Sequence, residues 1–205
     1  MAEHVCMGPK IIGVLGSPLL SGNTAQLLER ALQGAKDAGC DVEKIEVTNL
    51  EFRACREIFF CVDHETCAMK DDMQEMYKKF KELDSIIIAT PVMTMGIPGV
   101  LKSFMDRFQV YFMAKYVRNK SLVPEEKIKH RKGLYIGISG MKVPYVFDGA
   151  KLTIKAFFQI IDVKYFDDLL INDMDTIRDI ATRPELLEQA YRKGFALGRA
   201  LVDGT

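Results

Sequence analysis

The chain has 205 residues, 48% of them hydrophobic, with 28 basic and 28 acidic side chains and a formal net charge of zero. That balance leaves no electrostatic footprint for nucleic acid or an anionic membrane surface, and no apolar run approaches the roughly 20 residues a spanning helix needs. Met1 to Lys10 lacks a basic segment followed by an apolar one, and five cysteines without such a leader suit a reducing compartment, here the cytoplasm, better than a disulfide framework.

In chain order, Lys10 to Leu15 is an apolar strand. A helix from about Thr24 to Ala38 follows, with Ala25, Leu27, Leu28, Ala31, Leu32 and Ala35 at helical spacing and Gly39 ending it. A second strand covers Val42 to Val47, and after an irregular cysteine-bearing stretch Asp71-Asp72 opens a helix through Met73, Met76, Tyr77 and Phe80. Ser85 to Thr90 is a continuous apolar run, the pattern of a strand covered on both faces. Pro98 suits the first turn of a helix that buries Val100, Leu101, Phe104, Met105 and Phe108. Lys132 to Ile138 is a fourth strand, with a helix near Gly149 to Ile161. Lys164 to Ile171 is a fifth, with a last helix over Glu185 to Leu201. Strands alternating with helices, with no linker between them, give one α/β domain over residues 1–205. Its expected form is a three-layer, doubly wound parallel sheet of order 2-1-3-4-5, flavodoxin-like in its winding.

That order sets the carboxyl ends of strands one, three and four side by side. The first loop, Gly16-Ser17-Pro18-Leu19-Leu20-Ser21-Gly22-Asn23-Thr24, ends a buried strand and starts a helix, where backbone N–H groups and the helix dipole favour a phosphate. Ser17, Ser21 and Thr24 supply hydroxyls, Asn23 an amide, and Gly22 room for close approach. Asn23 stands where a Walker A loop needs lysine, and Gly13-Val14-Leu15-Gly16 lacks dinucleotide spacing, which leaves a single terminal phosphate as on FMN. A plain polar turn capped by Asn23 or Thr24 is the alternative. The second loop carries Pro91, Val92, Met93, Thr94 and Met95, whose amides and apolar side chains suit a flat ring, unless the methionines only fill core space. Ser139 and Gly140 close the third loop without bulk.

Gly-Ser-Pro-x-x-x-Gly-Asn-Thr, Cys67-x-x-Lys70-Asp71-Asp72-Met73 and Leu101-Lys102-Ser103-Phe104-Met105-Asp106-Arg107 together resemble the NADPH-dependent FMN reductases of flavodoxin-like fold, a group that includes iron–sulfur flavoproteins and multimeric flavodoxins. The likeness runs from about residue 10 to 200. It implies FMN held at its phosphate by Ser17, Asn23 and Thr24, with Leu19, Ser21 and Gly22 in the same loop. Pro91 to Met95 and Ser139-Gly140 would surround the ring. It also implies NAD(P)H as donor, hydride delivery to the flavin, a quinone, free flavin or protein as acceptor, and a homodimer or homotetramer. Family members commonly carry an aromatic residue where this chain has Met93.

The same group's iron–sulfur members carry C-x-x-C-x-x-C and a later fourth cysteine; matched here, Cys55, Ile58, Cys61 and Cys67 take those places. An isoleucine in the second place favours a metal-free thiol group over a cluster, with His64 a conceivable fourth ligand. Cys6 and Cys40 read as bystanders, and His4 and His130 as solvated. Lys127 to Lys132 reads as a solvated basic run rather than an NADPH contact, and Tyr111, Phe112, Met113 and Tyr116 as a self-association patch. Two other readings share the scaffold: a non-enzymatic electron carrier, which the zero net charge disfavours, and a cofactor-free binding module.

Overall fold

The structure, a computed structural model, describes residues 8–204. The expectations for Cys6 and His4 lie outside the described residues. Five strands, β1 (Lys10–Leu15), β2 (Asp41–Glu46), β3 (Ser85–Pro91), β4 (Lys132–Ile138) and β5 (Lys164–Ile171), pair in parallel in the order β2-β1-β3-β4-β5. β3 pairs with β1 from Ile11↔Ser85 to Leu15↔Ala89, and with β4 from Ser85↔Lys132 to Pro91↔Ile138. The expected fold class and strand order are those observed.

The long helices are α1 (Asn23–Asp37), α2 (Met73–Glu82), α3 (Gly99–Asp106), α6 (Asp148–Ile160) and α8 (Pro184–Val202); the short α4 (Gln109–Phe112), α5 (Glu125–Ile128) and α7 (Met174–Ile177) lie between them. Central strands have two buried faces because alternate residues serve different layers. Ile12, Val14, Ile86 and Ile88 pack with α2, α3 and α6, whereas Ile11, Leu15, Ile87 and Ala89 pack with α1 and α8. That is why β3 reads as an unbroken apolar run. β2, at the sheet edge, buries only Ile45, and it starts and stops one residue before the expected bounds.

Two expectations drawn from surface composition hold only in part. Tyr111 and Met113 are core residues, not a surface patch: the Tyr111 hydroxyl donates to the Tyr77 carbonyl at 2.7 Å, which leaves Tyr116 and Val117 exposed after α4. Arg131, inside the basic run, is only 1% exposed. Its guanidinium donates to the carbonyls of Phe80, Lys81 and Ile161 at 2.9, 2.7 and 3.1 Å, closing the carboxyl ends of α2 and α6. Helix C-termini offer unpaired carbonyls and negative potential, so a buried cation without a carboxylate is accommodated there. Burial lowers its pKa to about 10.

Candidate functional site

β1 ends at Leu15, and the Gly16 N–H donates to the Ala89 carbonyl at 2.8 Å, so the first loop leaves the sheet beside the end of β3. Ser17 is buried, and its Oγ accepts from the Leu19 N–H at 3.1 Å in a tight turn that leaves Pro18 and Leu19 exposed. Gly22 is the residue before α1, and no side chain caps the helix. First-turn N–H groups that lack a capping acceptor, at the positive end of a helix dipole, form an anion-binding point. Thr24 lies in that turn and is buried; Ser21 is exposed, and no basic side chain occurs between Gly16 and Thr24.

Past the end of β3, the Val92 N–H donates to the Ile138 carbonyl at 2.7 Å. Met93 and Gly96 then exchange hydrogen bonds of 2.9 and 3.0 Å around Thr94 and Met95, whose φ values are +48° and +62°. Two left-handed residues make this a tight hairpin turn of the kind ordinarily filled by Asn-Gly. For threonine, branched at Cβ, that conformation is rare, and such strain costs of order 1–3 kcal/mol per residue. Gly149, in the first turn of α6, lies so close to the Met95 carbonyl that a Cβ there would overlap it, so this approach of helix to turn requires glycine.

The third loop is fixed from β5. The Ser139 N–H donates to the Ile171 carbonyl at 2.9 Å, while the Ser139 and Gly140 carbonyls accept from Met174 and Asp175 at 3.0 and 3.3 Å. A Cβ on Gly140 would collide with the Asp175 carboxylate. Ser17, Leu19, Ser21 and Gly22 with Asn23 and Thr24 of the first turn of α1, then Pro91 at the end of β3 with Val92 to Met95, then Ser139 and Gly140, thus stand at one end of the sheet, with Leu19, Met93, Met141 and Tyr145 exposed around them.

Asn23 is used differently from the expectation. Its Nδ2 donates to the Arg178 carbonyl at 2.7 Å, and its Oδ1 accepts from the Ile180 N–H at 3.0 Å. The segment that it reaches, residues 172–183, had no place among the expected site residues; its sole sequence signal was the turn-forming pair Asn172-Asp173 after β5.

Cys55, Cys61 and Cys67 line one cavity of about 550 Å³ together with Ile58, Met69 and Arg107. The loop around it is held by protein groups. Arg118 donates to the carbonyls of Cys61 and Val62 at 2.5 and 2.9 Å, Gln74 to those of Cys67 and Met69 at 3.0 and 2.7 Å, and His64 stacks on Phe60 with its Nδ1 2.9 Å from the Phe60 carbonyl. Burial pushes the Cys61 thiol up, and the neighbouring Cys67 and Cys55 add to this. Ile58, half exposed between Glu57 and Phe59 at φ +49° and +60°, contributes no donor, and among the described residues no three His, Cys, Asp or Glu side chains converge as a metal site. A cluster held by four thiolates does not fit this donor set.

The chain is 32% identical over 102 residues to an iron–sulfur flavoprotein of Archaeoglobus fulgidus, covering 50% of this chain and 46% of that one. It is 36% identical over 111 residues to an iron–sulfur flavoprotein of Methanocaldococcus jannaschii, covering 54% and 58%. The matched stretches thus span less than two thirds of these relatives' lengths. Among solved structures, the NAD(P)H:quinone oxidoreductase from Methanothermobacter marburgensis superposes with a TM-score of 0.72 at 16% identity, over 93% of this chain and 96% of that one, a likeness of fold. The family model for NADPH-dependent FMN reductases matches residues 9–142, a span that holds two of the three loops whole and the third as far as Lys142, and the chain belongs to that family.

Proposed function

We propose that FMN occupies the three-loop site and that the chain is an NAD(P)H-dependent reductase passing electrons to a quinone, a free flavin or a protein acceptor. The observation that carries this reading is the uncapped N-terminus of α1, set beside the ends of β3 and β4. Family membership supports it, and the residues present fit the cofactor. The first-turn N–H groups, including that of Asn23, together with the hydroxyls of Ser17, Ser21 and Thr24, would hold the phosphate without a cation in the loop. The strained turn at Thr94-Met95 would present Pro91 to Met95 to the ring, and Ser139-Gly140 would border its edge. Bound there, FMN would supply the two-electron redox chemistry between NAD(P)H and the acceptor. The protein's part is to bind, orient and keep water from the ring, so no side chain is assigned as acid or base.

We also infer self-association, as a homodimer or homotetramer, a reading supported by the exposed Tyr116 and Val117. The test of function is steady-state oxidation of NADH and of NADPH by the FMN-loaded protein with a quinone, followed anaerobically. Acceptor-dependent turnover is expected. An FMN-loaded protein that oxidises neither nucleotide would be an electron carrier instead.

A further inference from the structure

We propose that Asn23 is a positioning residue: its side-chain amide clamps a strained turn at Arg178 and so makes residues 172–183 a strut between the phosphate loop and the Ser139–Gly140 loop. The inference rests on the FMN reading above. The strained turn is a γ-turn of the uncommon positive-φ form. Arg178 sits at φ +60° and ψ −56°, and the Asp179 N–H donates across it to the Ile177 carbonyl at 2.7 Å. Such a conformation persists only where the surroundings fix it. Asn23 holds its carboxyl side, donating to the carbonyl of Arg178 and accepting from the N–H of Ile180, while the Arg178 N–H donates to the Met174 carbonyl at 2.7 Å; the amide thus uses its acceptor oxygen and one of its two donor hydrogens.

The other end of the strut begins at Asp173, also left-handed at φ +66°. There Met174 and Asp175 donate to the Ser139 and Gly140 carbonyls, and Lys142 pairs with Asp173 at 3.1 Å. Between the ends, Met174 and Ile180 are buried in the core layer that also holds α1. One short segment therefore carries both the support for the loop assigned to the flavin ring and the partner of the loop assigned to its phosphate. Loss of the Asn23 side chain should loosen the ring end as well as the phosphate end. A phosphate ligand would behave otherwise, since riboflavin, which has no phosphate, would not register its loss.

The experiment titrates the apoprotein with FMN and with riboflavin, by quenching of flavin fluorescence, in the wild type, N23A, T24V and N23A/R178G. N23A should weaken riboflavin binding roughly tenfold, the equivalent of about 1.4 kcal/mol, along with FMN binding. T24V should weaken FMN alone. Trypsin should cut after Arg178 faster in N23A, and the double variant should recover riboflavin affinity, because glycine takes positive φ without strain. If N23A does not fold, restoration of folding by R178G supports the clamp and failure to restore it overturns the clamp. FMN affinity lost with riboflavin affinity intact would make Asn23 a phosphate ligand and overturn the inference, as would unchanged affinity for both flavins. A folded wild type that binds neither flavin would instead overturn the FMN reading, and the trypsin comparison would then decide the clamp on its own.

Discussion

Arg107 is 2% exposed and grips Asp71 with two hydrogen bonds, Nη1 to Oδ2 at 2.5 Å and Nη2 to Oδ1 at 2.9 Å; Nη1 also donates to the Arg53 carbonyl at 2.7 Å. This pair accounts for two motifs that read only as patterns in the sequence, Asp71-Asp72-Met73 and Asp106-Arg107. Together they tie the cysteine loop and α2 to the end of α3. Burial acts to raise the Asp71 carboxyl, but the Arg107 hydrogen bonds and charge hold it below its ordinary value. A carboxyl depressed in the folded state stabilises the protein above its unfolded pKa of about 4, and this stability is lost as pH falls through the folded value. Asp71→Asn should therefore cost about 3–5 kcal/mol at neutral pH, by leaving a buried guanidinium uncompensated, and should flatten the acid limb of stability. Urea melts from pH 7 down to pH 3 check both parts. At the phosphate loop, Thr24→Val should weaken FMN retention about tenfold through loss of one hydroxyl donor to a charged group, and unchanged affinity would show that Thr24 makes no such contact. Residue types at this scale were legible, but their partners were less so. Asn23 looked like a ligand because amides cap and bind anions, whereas its partner lies more than 150 residues away, beyond any local pattern.

At the scale of elements, the strands and long helices were legible because burial imposes period two or 3.6, and a doubly covered strand shows as an apolar run. The irregular stretches were not. The turn at Thr94-Met95 lacks the Asn-Gly signal of its type, so no local pattern announces its left-handed residues or the close approach of Gly149 to the Met95 carbonyl. The burial of Arg131 was likewise invisible in a run of like charges. The cysteine loop, read from sequence as a metal-free thiol group because Ile58 stands where a fourth thiol would be needed, has its backbone held by Arg118, Gln74 and Arg107. Removal of metal by a strong chelator should therefore leave the melting temperature of the protein unchanged, as followed by circular dichroism. A fall of several degrees on chelation would show that a bound ion supports the loop.

For the whole molecule, alternating strand and helix patterns point to a doubly wound parallel sheet, and the order β2-β1-β3-β4-β5 sets the loops after β1, β3 and β4 side by side at one edge. Topology pointed to the candidate site before any geometry, while the strut from β5 emerged only when the sheet was assembled. A ligand that binds the folded chain alone stabilises it by mass action, so FMN at 100 times its dissociation constant should add about 2.7 kcal/mol. The matching upward shift in melting temperature should be absent with AMP, which carries a phosphate but no flavin. The central claim, that an uncapped helix start with no cation in its loop holds the phosphate of FMN, is tested most directly by calorimetric titration of the apoprotein with FMN and riboflavin side by side. FMN binding at least about tenfold more tightly than riboflavin is the predicted result; equal affinities would contradict it.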